Sequence, residues 1–222
     1  EESDGLSVSG AGIVNQNLDG SVSVNVTTGT LTIDSPITVP GNISITAPAV
    51  VITTAVISVT GDVEVTATDA DIVLDGDAAT IQSDTGGITI VAEEDVLLTT
   101  VVSGDAGIVV TANNGSIVDN LPGEGSNLVT PGTLQIAAGT DLGQTGEANI
   151  NIDAGTLNIG FGGENVSIEF EDGREFSGSA ENLYFITSKR DFEPHVTTRL
   201  TPDSLRQVEE AVLPDVPSIQ AL

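Results

Sequence analysis

The sequence predicts an all-β chain wound as a β-solenoid, and three observations carry that prediction. A short motif recurs through most of the chain, its anchors stepping by 20, 25, 20, 26 and 16 residues from Gly41. Within each copy apolar and polar residues alternate, the period of a strand with one face turned inward. Helix signals are absent before residue 200, where β-branched residues and the chain's 25 glycines dominate.

The motif is a small residue, then apolar residues at +2 and +4, then a small residue at +6. It reads Gly41-Asn-Ile-Ser-Ile-Thr-Ala47, Gly61-Asp-Val-Glu-Val-Thr-Ala67, Gly86-Gly-Ile-Thr-Ile-Val-Ala92 and Ala106-Gly-Ile-Val-Val-Thr-Ala112. Later copies are Gly132-Thr-Leu-Gln-Ile-Ala-Ala138 and Ala148-Asn-Ile-Asn-Ile-Asp-Ala154, with Gly29-Thr-Leu-Thr-Ile-Asp-Ser35 a weaker one. A second short strand follows several copies: Ile72-Val-Leu74, Val96-Leu-Leu98 and Ile117-Val118. Short strands at this density fit a sandwich, a barrel or a solenoid. A recurring residue pattern at recurring spacing favours the solenoid, in which each turn lies on the last and like residues stack. The fixed Gly and Ala then mark corners where neighbouring backbones crowd.

Gly-x-Ile-x-Ile-x-Ala followed by Asp71-Ile-Val-Leu74 or Asp95-Val-Leu-Leu98 resembles the repeats of large bacterial secreted exoproteins. These are the filamentous-haemagglutinin type, exported by two-partner secretion, and the related autotransporter passengers. The resemblance covers roughly residues 20–170. It implies a right-handed parallel β-helix at a cell surface, serving adhesion or fibre formation. Members of that family are usually far longer, and the last part of this chain has no counterpart among their repeats.

Charge narrows the function classes. The chain carries 33 Asp+Glu against five Lys+Arg, a formal net charge of −28. Residues 1–173 hold 25 acidic residues and no basic one, and all six aromatics lie from Phe161 onward. Phosphate neutralisation needs Lys and Arg, so nucleic-acid binding and attachment to an anionic membrane are excluded for that region. There is no Cys, hence no disulfide, no thiolate metal site and no cysteine nucleophile. No run of residues is apolar and long enough to span a membrane as a helix. The first residues, Glu1-Glu-Ser-Asp4, lack a basic and then apolar leader, so either the chain is not exported by that route or its signal has been removed, the second being the reading expected of an extracellular or cell-surface chain.

The sequence divides into an acidic solenoid, residues 1–173, and a tail, residues 174–222, that holds all five basic residues and four of the nine prolines. Asn182-Leu-Tyr-Phe-Ile-Thr187 reads as extended. Thr201 to Leu213 reads as a short helix with Thr201 as N-cap, Pro202 at its first position and Pro214 ending it. Leu205, Val208 and Val212 recur at helical spacing and need an apolar partner. The tail is expected either to fold back as a cap or to reach a neighbouring subunit, with Tyr184, Phe185, Phe192, Leu205, Val208 and Val212 as contact residues. Head-to-tail contacts of that kind build filaments. A glycan or protein on a host or cell surface is the other partner expected of an adhesive chain.

Two chemistries remain to be weighed. Aligning Ile72 with Val96 sets Asp71 under Asp95 and Asp69 under Glu93, at the roughly 4.8 Å spacing of stacked strands. Oxygen-only ligands at such spacing suit calcium; ordinary solvated turn residues are the plainer reading. Calcium-binding β-roll nonapeptides and EF-hand loops are absent. The alternative class is a carbohydrate-active β-helix enzyme using paired carboxylates. Against it, residues 1–160 contain no aromatic to stack on a sugar and no basic residue, and His195 is the single histidine, so no catalytic residue is assigned.

The charge generates a first prediction. With no cations to offset them, the carboxylates of residues 1–173 repel one another at neutral pH, and acid relieves that repulsion. The β signal in circular dichroism should therefore persist to about pH 4–5. A steep loss between about pH 6 and 4.5 would reveal partners that need the carboxylates ionised.

Overall fold

The structure is a computed structural model, and it describes residues 6–10, 12–14, 20–123, 125–143, 149–161, 166–170, 175–178 and 184–186. It is a parallel β-solenoid of three strands per turn. The first face stacks six strands: Leu6–Val8, Thr30–Ile33, Ala49–Ile52, Ile72–Leu74, Val96–Leu98 and Ile117–Asp119. The second stacks Ile13–Val14, Ile37–Val39, Ala55–Ser58, Thr80–Ser83 and Thr100–Ser103. The third stacks Val22–Asn25, Ile43–Ala47, Val63–Ala67, Ile88–Ala92 and Ile108–Ala112.

The last two faces are joined by one long strand, Leu128–Ala138. Its start pairs with the second face (Leu128 beside Val101) and its end with the third (Leu134 beside Ile108). Ile150–Phe161 repeats this course one turn later, with a register irregularity between Thr130 and Thr133.

Register is set by the repeated motif. Val22, Ile43, Val63, Ile88, Ile108, Leu134 and Leu157 form one column of the third face. Two motif copies belong elsewhere than the sequence suggested. Leu31 of the Gly29 copy lies on Val50, in the first face. Ile152 of the Ala148 copy lies on Leu128, in the second. The true successor of Gly132 is Gly155, whose Leu157 and Ile159 continue the third-face column. Alternation makes each of these a half-buried strand but does not say which of three equivalent faces it serves.

The inward rows are aliphatic throughout: Ile45, Val65, Ile90 and Val110 are all fully buried. Each such side chain contributes about 1.5–3 kcal/mol on leaving water. Where the second face turns into the third, the inward position is a hydroxyl instead: Ser58, Ser83, Ser103 and Thr130, stacked and buried. The Ser83 hydroxyl donates to the Gly61 carbonyl one turn back at 2.7 Å and accepts the Gly86 N–H at 2.9 Å. Ser58 and Ser103 do the same work for Gly41 and Gly86. Buried backbone groups at the bend are thus satisfied within the protein.

The far end closes differently. Val166–Phe170 still runs parallel, beside Ile150–Ile152. Glu175–Gly178 then pairs antiparallel with Val166–Phe170, and Tyr184–Ile186 antiparallel with Leu157–Ile159. Parallel winding therefore extends through Phe170, and the described tail strands lie against the chain's own last turns. There is no helix among the described residues, so none there is long and apolar enough to cross a membrane. The helix expected at 201–213 lies outside the described residues.

The corner glycines yield a second prediction. A Cβ on Gly86 would stand 2.2 Å from the Gly61 carbonyl oxygen, whereas one on Gly87 would meet nothing nearer than 3.6 Å. Gly86→Ala should cost about 1–3 kcal/mol, the usual penalty of overpacking, and Gly87→Ala a small fraction of that. Thermal denaturation of the two variants decides it; equal effects would mean that backbone approach does not set the corner.

Candidate functional site

The acidic corners are the candidate site, and their chemistry starts from an unmet need. At several corners the N–H at a strand entrance points at the neighbouring turn and is taken there by a side chain, not by a backbone carbonyl. A side-chain oxygen one turn back supplies the acceptor. Entering the first face, Asp95 N–H donates to Asp71 Oδ1 at 2.9 Å and Ser116 N–H to Asp95 Oδ1 at 2.7 Å. Entering the third, Asn42 N–H donates to Ser21 Oγ at 3.0 Å, Asp62 N–H to Asn42 Oδ1 at 3.0 Å, and Gly87 N–H to Asp62 Oδ1 at 2.8 Å. Entering the second, Asn151 N–H donates to Asn127 Oδ1 at 2.8 Å.

The position accepts Asp, Asn or Ser alike. What those side chains share is a short-reach acceptor, not a charge. Asp71 and Asp95 are thereby explained as corner acceptors, each half-buried and engaged by backbone. Among the described residues most acidic residues lie at the corners, whereas Glu64, Asp153 and Glu169 lie within strands.

The four residues expected to share a cation have separate surroundings. Ile72 does lie beside Val96, which stacks Asp71 with Asp95. Asp69, however, does not lie under Glu93. Glu93 N–H bonds the Ala67 carbonyl, so Glu93 stands over Thr68. The corner between Ala67 and Ile72 has one residue more than the corner between Ala92 and Val96, and that extra residue displaces Asp69. The Glu93 carboxylate accepts from Asn113 Nδ2 at 3.0 Å and Asn114 Nδ2 at 2.8 Å, while Asp69 is exposed. Among the described residues no group of three or more His, Cys, Asp or Glu side chains is placed to hold a metal ion. Asp71 and Asp95 each direct one carboxylate oxygen, Oδ1, at a backbone amide of the next turn.

Of the expected contact residues, Tyr184 lies beside Ile159 and Phe185 beside Asn158 of the same chain. Phe192, Leu205, Val208 and Val212 lie outside the described residues, as does His195. The corner acceptors Asn42, Asp62 and Asn127, and Ser116, whose Oγ accepts from the Asp141 N–H at 3.4 Å, were not read as acceptors from sequence. Their signal is a short oxygen-bearing side chain immediately ahead of an inward aliphatic. Compared with known proteins, the chain matches no family model, no curated protein and no solved structure.

The acceptor role predicts a contrast between two substitutions. Asp71→Ala leaves the Asp95 amide without its partner and should cost about 1–3 kcal/mol. Asp71→Asn keeps an oxygen in place and should leave the melting temperature nearly unchanged. EDTA should not lower it either. A cation held by Asp71 and Asp95 would reverse the pattern, with Asn as harmful as Ala and a melting point that falls with EDTA and is not restored by monovalent salt.

Proposed function

We propose that the chain is a structural, adhesive solenoid of a bacterial exterior, joining copies head to tail. The observation that carries the reading is the strand edge at the N-terminal end. Among the described residues Leu6–Val8, Ile13–Val14 and Val22–Asn25 each pair on one side only. Leu6 is 47% exposed there. Such an edge is a template for another strand.

At the opposite end the outer sides of Glu175–Gly178 and Tyr184–Ile186 also lack a described neighbour. Pairing one end with the other is a heterologous contact, and such contacts grow into open filaments unless a ring closes. The aliphatic core and the acidic exterior support a durable extracellular rod, and so does the resemblance of the repeats to secreted exoproteins. A surface glycan or protein is the adhesive target consistent with that resemblance.

Filament growth through the edge makes a specific demand. Val22 and Val26 donate their N–H groups to Asn42 and Thr46 of the next turn, so the intervening Ser23 directs its N–H to the open side. Ser23→Pro should abolish fibres in negative-stain images while leaving the circular dichroism of the solenoid intact. A parent protein that stays monomeric in light scattering at about millimolar concentration would overturn head-to-tail assembly.

A further inference from the structure

The outward rows of the three faces differ in one respect. On the third face the row reads Ser44, Glu64, Thr89, Val109, and on the second Thr38, Ile57, Gln82, Val102. On the first it reads Val51, Val73, Leu97, Val118, aliphatic for four turns running. All four are half-buried, and no described element lies over them. The aliphatic stretch is bounded, with Thr32 beside Val51 at one end and Gly143 following Val118 at the other. Carboxylates border it: Asp71 and Asp75 stand two residues either side of Val73, and Asp95 two before Leu97. Residues 1–173 hold no basic residue to offset them.

We infer that this row is the docking site for an amphipathic helix of another protein, one whose aliphatic stripe is flanked by Lys and Arg, lying along the solenoid axis. Two features select that partner. The first is period. Val51 to Val118 covers three rung intervals of about 4.8 Å, about 14 Å in all. A helix with aliphatic residues at i, i+3, i+7 and i+10 spreads them over about 15 Å, so each side chain meets a rung. An extended strand turns the same face outward only about every 6.6 Å and falls out of step after one rung. The second is charge. Asp71 and Asp95 each engage a backbone amide through Oδ1, and the other oxygen takes no part in that bond, while Asp75 is exposed. Lys and Arg beside the stripe would meet these carboxylates and lay their apolar stems along the rim of the row. A second copy would instead bring another −28 charge against the same borders. The contact uses the flank of the solenoid and not its ends, so it does not depend on copies joining head to tail.

The probe is a synthetic helical peptide of Leu, Lys and Ala with its leucines at i, i+3, i+7 and i+10. Its control has the same composition with the leucines at every second position. Fluorescence anisotropy against the full chain, at an ionic strength of about 0.15 M, should show the striped peptide binding at least about tenfold tighter than the control. Val73→Thr combined with Leu97→Thr should weaken the striped peptide at least about tenfold. Val91→Thr combined with Val109→Thr, on the outer side of the third face, should change its affinity less than about twofold. Threonine suits a strand, and circular dichroism checks that both variants keep the solenoid. The comparison of the two peptides needs no variant. Equal affinities for the two would reduce the attraction to charge alone and overturn the proposal. Equal losses from the two double variants, or no binding to the unaltered chain, would overturn it too. Light scattering of the chain alone supplies the last arm: a dimer that Val73→Thr with Leu97→Thr dissolves would overturn the proposal and name a second copy as the occupant.

Discussion

Each turn hands its backbone donors and acceptors to the turn beside it at a separation of about 4.8 Å, and everything else in the molecule answers to that spacing. Within the faces the demand is met by parallel pairing in strict register, as in the column from Val22 to Leu157. At the corners the chain changes direction and the backbone pairing is interrupted in places, where side chains supply the missing partners. Ser58, Ser83 and Ser103 serve the inner side of one bend, and Ser21, Asn42 and Asp62 serve its outer side. The glycines at that bend follow from the same spacing. Gly61 and Gly86 lie so close to the turn before them that no Cβ fits.

The column of Ile45, Val65, Ile90 and Val110 was legible because burial on one side imposes a period of two and winding repeats it at each turn. The assignment of strands to faces was less legible. Leu31 and Ile152 alternate with their neighbours just as Ile45 does, yet each belongs to another face. All three faces bury aliphatic residues against the same narrow interior, so the alternation alone does not distinguish them; the buried residue that ends the strand does, Ser in the second face and Ala in the third. Corner length gives no steady guide, because corners vary: the passage from Asp119 to Leu128 is much longer than that from Leu98 to Thr100.

The carboxylates misled for a related reason. Asp71 and Asp95 drew notice as stacked charges, which suggested an ion between them. Their positions in the chain match those of Ser116 and, at another corner, Asn42, and that equivalence identifies the oxygen as the common feature. Tyr184–Ile186 was legible as extended, but its direction was not. The antiparallel pairing with Leu157–Ile159 depends on which edge the last turn leaves open, a property of the assembled solenoid and not of the segment.

Because the bonds between turns run along the solenoid axis, the molecule has a mechanical grain. Tension applied along the axis would load the bonds of one turn at a time, peeling a strand and leaving the rest wound. Each released turn of about 20 residues would pay out up to about 70 Å of chain. A shear across the axis would instead meet many bonds at once. The stack of parallel rungs is thus compliant lengthwise and stiff sideways, so a tether built from it would lengthen in discrete steps under load.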